Sequence, residues 1–305
     1  MQATIRKTAT FSGVGLHSGR LVRVTVLPQA ANVGIWFRRT DLDDAAMIPA
    51  RYDLVPFSRL CTRLIAEDGT EVSTVEHIMA ALVGCGIHNA LVELDGPELP
   101  ILDGSAAQFV RGLLDAGIQR QSAPIHAFKV LKSVRVVDGD AWAELHPADG
   151  LEMDYTIDFE EAAIGRQQRI ANLANGRFVR ELCDSRTFCR RSDVDMMRDA
   201  GLALGGTYDN AVVVDGDTVL SPGGFRHADE AVRHKMLDAL GDLALAGAPI
   251  LGRYTGYRAG HMVTNQLLRV LFSTPGAVRL VACTNDQAAR LPGVGVKPAD
   301  LANVA

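Results

Sequence analysis

Apolar and polar residues alternate through Val22-Arg23-Val24-Thr25-Val26 and again through Ala90-Leu91-Val92-Glu93-Leu94, a two-residue period that predicts strands. Residues 73–83 and 106–114 instead carry apolar side chains at helical spacing, so the first half reads as α+β. After Gln121-Ser122-Ala123-Pro124 the pattern restarts, with strands expected over 128–137, 141–145 and 153–159 and a helix over 230–246. This places a domain boundary near 121–127, giving a first domain over 1–124 and a second over 125–284. Two segments read as insertions, 47–66 and 187–215, the latter with its own helix (194–200) and strand (211–214). From Asn285 onward Pro, Gly and Ala dominate without periodicity, which predicts a mobile tail over 285–305.

The two halves echo one another. His77-Ile78-Met79 precedes Gly84 by the same interval as His234-Lys235-Met236 precedes Gly241, and Gly104-Ser105 and Gly260-His261 follow those glycines 20 and 19 residues later. Each later pair opens a helical run. A duplication of this kind predicts a pseudo-twofold pair of domains whose equivalent helices face one another across a cleft, bringing His77 and His234 together.

Composition narrows the function classes. A chain of 305 residues that is 48% hydrophobic can fill two cores. A net charge of −5 provides no broad cationic field for nucleic acid or an anionic bilayer, so a phosphate contact must be local and the ligand small. The five cysteines are odd in number with no CxxC pair, against a disulfide framework or a zinc ribbon. The first residues lack an apolar signal core, and no apolar run reaches the roughly 18 residues of a membrane span. A soluble cytoplasmic protein is expected.

Chemistry concentrates on two helices. His234 and Asp238 stand at i, i+4, one turn apart on one face, where a single ion can touch both; on this helix alone a solvated His/Asp pair is the simpler reading. Ser73-Thr74-Val75-Glu76 has the form of a capping box, with Glu76 returning to the Ser73 amide. The almost wholly apolar Ile78–Val83 beyond it buries the helix, however, so the Glu76-His77 pair needs a partner. Two imidazoles, one carboxylate and an open fourth position make the ligand set of a catalytic zinc site. Glu76, diverging by about 100° from His77 around the helix, then suits a general base. His261, at a helix start after Gly260, is placed either to protonate a leaving group or simply to meet solvent. His88, His126, His146 and His227 lack partner spacing and read as surface or structural residues. His17 lies in a Gly-rich turn, Gly13–Gly19, that brings backbone close to a ligand but lacks the helix of a phosphate loop.

Taken together, Gly13–Gly19, Ser73–His77, Pro100–Ala106, Asp184–Phe188, Val232–Asp238 and Gly260-His261 resemble, in order and interval over residues 1 to about 280, the UDP-3-O-acyl-N-acetylglucosamine deacetylases of Gram-negative lipid A synthesis. The resemblance implies a duplicated β-α-α-β sandwich, an α+β fold of two related domains whose helices pack face to face between their sheets, each domain with a small insertion. It implies one Zn²⁺ per chain on His77, His234 and Asp238, with Fe²⁺ as the in vivo alternative. Glu76 would be the base, His261 the acid oriented by Asp242, Thr187 an oxyanion donor and Lys235 a contact to the polar part of the substrate. Phe188 would pack on the sugar or acyl chain, Val194 and Ala203, with Leu202, would line the acyl passage, and Leu60, Cys61 and His17 would complete the substrate contacts. Phe159 matches the aromatic residue on uracil and Arg258 a basic position near the diphosphate.

Two departures stand out: Ala141 where relatives often carry a lysine near the diphosphate, and Arg190 at a position aromatic in several relatives. The reaction implied is hydrolysis of the N-acetyl amide of an amphipathic UDP-sugar, and a monomer with no nucleic-acid partner and no membrane span is expected. The alternatives are a zinc deacetylase of another N-acetyl sugar and a non-catalytic nucleotide-sugar or lipid-binding protein in which Glu76 only caps its helix.

Overall fold

The structure is a computed structural model describing residues 1–44, 46–58 and 60–304. Its α-helices are α1 (Glu76–Gly84), α2 (Ala107–Ala116), α3 (Arg177–Glu181), α4 (Arg191–Asp199), α5 (Glu230–Ala244), α6 (His261–Ser273) and α7 (Asn285–Ala288). Two principal sheets accompany them.

The first sheet contains Ala9–Val14, Leu21–Pro28, Ile35–Arg39, Ile48–Pro49 and Ala90–Leu94. Alternation decides its faces: Val22, Val24 and Val26 are buried while Leu21 and Arg23 are exposed. The second sheet contains Val134–Asp138, Ala141–Pro147, Leu151–Asp158, Arg166–Asn172 and Ile250–Tyr257, extended by His126–Val130 and Val278–Ala282. In both sheets the first strand pairs antiparallel with the second and the second antiparallel with the last. The last then pairs parallel with the third, and the third antiparallel with the fourth. In both halves a helix, α1 or α5, precedes the last strand, and α2 or α6 follows it. The fold is α+β, and the internal echo in the sequence has a counterpart in identical strand pairing.

Helices α1 and α5 pack directly on one another, α2 on Ala9–Val14, and α6 on Val134–Asp138 and Ala141–Pro147. The closeness of α1 and α5 depends on Gly241, where an added Cβ would sit 2.1 Å from the Glu76 carbonyl oxygen. With no side chain between the helices there, their polar residues approach across the interface.

Four expectations are corrected. The helix expected from Ser73 starts at Glu76, because Ser73 closes the short strand Glu71–Ser73 and Thr74 turns with a positive φ of 59°. The strand expected over 128–137 is two, His126–Val130 and Val134–Asp138. The segment 47–66 begins with Ile48–Pro49, an outer strand of the first sheet, and beyond it Val55 and Leu64 are buried in the core. The tail expected to be mobile is packed: Thr284 caps α7 with a capping box, Leu291 is buried, and Val296, Leu301 and Val304 rest on the core. Asp300 pairs with Arg180, and Gly293 lies backbone to backbone against Gly86. A few spaced apolar anchors hold this segment, and they make no periodic pattern.

Candidate metal centre

The site forms where the starts of α1 and α6 converge on the length of α5. His77 and Glu76 enter from α1, His234, Asp238 and Asp242 from α5, and His261 from the first position of α6; all six are buried. Burying so many ionisable groups is costly unless each has a partner.

Asp238 Oδ1 lies 3.2 Å from His234 Nε2 and 3.5 Å from His77 Nε2, and the two imidazole rings meet edge to face with centroids 5.1 Å apart. One ligand atom from each of the three lies within 4.8 Å of the others. The remaining valences show what this cluster suits. His234 Nδ1 donates to the Ser185 carbonyl at 3.0 Å, leaving Nε2 with its lone pair toward the cluster. Lys235 Nζ donates to Asp238 Oδ2 at 2.8 Å, while Asp238 Oδ1 is buried without a hydrogen bond. An orphaned carboxylate oxygen between two histidines fits a metal ion in both donor type and arrangement. Burial lowers the His234 imidazole to about 4, with His77 and Lys235 adding to the shift against Asp238, so the ring is neutral at pH 7 as ligation requires. Burial opposes ionisation of Asp238, but His234, Lys235, His77 and His261 outweigh it and hold its carboxyl well below the usual range.

Glu76 and His261 flank this cluster without joining it. Glu76 Oε1 is 3.8 Å from His261 Nε2, and that nitrogen is 3.9 Å from Asp238 Oδ2. Burial raises the Glu76 carboxyl, with Asp238 and Asp242 adding to the effect and His261 and His77 opposing it. His261 Nδ1 contacts Asp242 Oδ2 at 2.9 Å. Burial works against the imidazolium, yet Asp242 and Glu76 together raise it to about 9. The capping-box reading of Glu76 is corrected here: the Ser73 amide donates to Pro97 O, and Glu76 Oε2 accepts instead from the Thr62 amide at 3.0 Å. Burial pulls the Lys235 ammonium down, but Asp238, Asp242 and Glu76 overcome this and raise it.

The chain matches the model of the UDP-3-O-acyl N-acetylglycosamine deacetylase (LpxC) family over residues 2–273. Curated relatives carry the name UDP-3-O-acyl-N-acetylglucosamine deacetylase: that of Shewanella frigidimarina is 44% identical over 99% of both chains. That of Idiomarina loihiensis is 47% identical over 94% of both, and that of Pasteurella multocida 44% identical over 94% of this chain and 95% of its own. The chain belongs to this deacetylase family. Its centre of two histidines and an aspartate is a candidate site for the metal of a metalloenzyme family.

The outer residues expected from this family fall into two groups. Thr187, Phe188, Val194 and Ala203 come together around an apolar cavity of about 150 Å³, also lined by Leu16 and Val213. Phe188 reaches from this cavity to His234, ring centroids 6.3 Å apart, and meets Phe159 edge to face at 5.4 Å. Leu202 and Arg190 are not in the lining; Arg190 turns outward and pairs with Asp193 at 2.7 Å. The Gly13–Gly19 turn docks on this insertion through Leu204 N to His17 O and Gly205 N to Leu16 O, and both His17 ring nitrogens are buried without hydrogen bonds. Leu60 is exposed, whereas Cys61 is buried and its thiol is pushed up to about 12, mainly by burial and then by Glu76. Arg258 is exposed at a positive φ of 51°, three residues before His261, and strand register places Trp142, next to Ala141, opposite Tyr257.

Of the histidines set aside, His227 contacts Asp184 at 2.9 Å, His146 lies between Ser133 and Glu144, and His88 accepts from the Ala3 amide. Sequence reasoning missed several supports. Glu230 accepts from the Arg186 amide, the Arg186 guanidinium and the Arg226 amide, fixing the segment that carries Ser185, Thr187 and Phe188. Glu98 accepts from the His17 and Ser18 amides and the Thr74 hydroxyl, fixing the glycine turn. Thr62 joins Glu76 to Asp242. Each links residues far apart in the chain, so no local spacing announces it.

Proposed function

We propose that this protein hydrolyses the N-acetyl amide of UDP-3-O-(3-hydroxyacyl)-N-acetylglucosamine to acetate and a free amine, the committed step of lipid A biosynthesis. The observation that carries this reading is a buried His77–His234–Asp238 cluster with an unligated carboxylate, Glu76, and an Asp242-bound imidazole, His261, beside it. Family membership supplies the substrate class.

His77, His234 and Asp238 would hold one Zn²⁺, with Fe²⁺ the in vivo alternative. A zinc ion held there supplies Lewis acidity, polarising the acetyl carbonyl and making a water acidic near neutral pH. Glu76, raised by burial, takes the proton of the attacking water. Thr187 lines the cavity, and its hydroxyl donates to the developing oxyanion, a contribution of roughly 3–4 kcal/mol for one well-placed donor. His261, protonated at neutral pH and anchored by Asp242, passes a proton from Nε2 to the departing amine. Lys235 holds Asp238 and presents charge to the substrate's polar part. The acyl chain enters the cavity of Phe188, Val194 and Ala203, with Leu60, Cys61 and His17 on the substrate path and Phe159 and Arg258 toward the nucleotide. The chain acts as a cytoplasmic monomer; its five cysteines are all free, as suits a reducing compartment.

Elemental analysis of the purified protein, with acetate release from the acylated nucleotide sugar, tests the site. One zinc per chain is expected, lost together with activity in His77→Ala and Asp238→Ala. Metal retained in both variants would refute the ligand set. Glu76→Gln should keep its metal and lose about 10²–10⁴-fold in kcat. A Glu76→Gln enzyme with unchanged turnover would return Glu76 to a structural role.

A further inference from the structure

Thr62 precedes the strand Arg63–Ile65, in the segment between the first sheet and α1, and is 2% exposed. All three of its polar groups are committed. Its amide donates to Glu76 Oε2 at 3.0 Å, its carbonyl accepts from the Val75 amide at 3.2 Å, and its hydroxyl donates to Asp242 Oδ1 at 2.5 Å. Asp242 in turn uses its other oxygen, Oδ2, on His261 Nδ1 at 2.9 Å. One residue from the first half of the chain thus ties a carboxylate of α1 to a carboxylate of α5, 180 positions away.

We propose that Thr62 is a positioning residue for the deacetylation reaction, setting the geometry of proton transfer through its bonds to Glu76 and Asp242. The proposal rests on the reading of Glu76 as base and His261 as acid. A carboxylate that receives a hydroxyl on Oδ1 has one rotamer in which Oδ2 still meets His261, so the hydroxyl fixes the imidazole through Asp242. That contact also orients the ring: Nδ1–H toward Asp242 leaves Nε2 facing the reacting centre, 3.8 Å from Glu76 Oε1. The Thr62 amide does the same for Glu76, holding Oε2 so that Oε1 remains toward His261. Because both restraints belong to one rigid residue, the separation of base and acid follows from its position. Misplacement by even a fraction of an ångström in such a pair acts on the rate and leaves substrate binding alone.

The test uses the zinc-loaded enzyme. Thr62→Val keeps the shape and both backbone bonds while removing the hydroxyl, and should lower kcat about tenfold or more with KM and bound metal unchanged, whereas Thr62→Ser stays within about twofold of wild type. Thr62→Cys, a weaker donor of similar volume, should fall between them, and carries the test if Thr62→Val does not fold. On a His261→Ala background Thr62→Val should cost nothing further, since the group it positions is gone. A wild-type kcat in Thr62→Val, a Thr62→Ser as impaired as Thr62→Val, or an undiminished loss on the His261→Ala background would overturn the proposal. An impaired His261→Ala beside an unimpaired Thr62→Val sinks the positioning role alone; a fully active His261→Ala removes the acid reading, and this proposal with it.

Discussion

At the scale of single residues, the centre is organised by what each side chain does with its second polar atom. Lys235 takes Asp238 Oδ2 and leaves Oδ1 bare, and Ser185 O takes His234 Nδ1 and leaves Nε2 toward the cluster. Such outer contacts set ligand orientation and tautomer, and their loss is felt in metal affinity. Replacing Glu230 by Gln should therefore weaken metal binding about tenfold or more, measured by chelator competition, because Glu230 secures the segment that carries Ser185. Unchanged affinity would show that segment to be self-supporting. A second residue-scale prediction concerns pH. His88 is lowered from 6.5 to about 4, mainly by burial and further by the N-terminal ammonium. Between those values the unfolded chain binds the proton and the folded chain does not, so stability is full above pH 6.5 and declines as pH falls toward 4. Denaturant titrations at pH 7 and pH 5 should show a smaller decline for His88→Gln than for wild type; equal declines would assign the effect to other groups.

Among the elements, the contact between α1 and α5 decides whether the site exists. His77 comes from one helix and His234 and Asp238 from the other, and Gly241 lets the two approach with only backbone between them. A methyl group placed 2.1 Å from the Glu76 carbonyl oxygen must push the helices apart. Gly241→Ala should cost about 1–3 kcal/mol of stability and weaken metal binding with it, read by thermal denaturation with and without zinc. A variant with a lowered Tm and intact metal affinity would mean that the helices separate elsewhere than at the site. The helical periodicity of residues 230–246 was plain in the sequence, as was the i, i+4 relation of His234 and Asp238. The true start of α1 was not: Ser73-x-x-Glu76 satisfies the local capping pattern, yet pairing with Arg63–Ile65 holds Ser73 in a strand and Thr62 claims Glu76. Tertiary partners outcompeted a locally sufficient motif.

Over the whole molecule, the duplicated topology places two equivalent helix pairs between two sheets, and the site lies where the halves meet. Residues 285–304 close one side by burying Leu291 and pairing Asp300 with Arg180. Ending the chain at Thr284 should lower the Tm by several degrees, since Leu291 alone accounts for about 1.5–3 kcal/mol of burial. An unchanged Tm would show that the segment adds nothing to stability despite its packing.

Local repetition along the chain was enough to establish the α+β class, the echo of His77 in His234, and the pairing of His234 with Asp238 along one helix face. These are legible because strand and helix periods are properties of neighbouring residues. Which polar groups meet was settled by folding alone. Thr62 reaches partners 14 and 180 positions away, Glu230 serves a loop 44 positions before it, and the spaced anchors of the last residues find the core one at a time. Those contacts arise from the packing of distant segments, which no window along the chain contains.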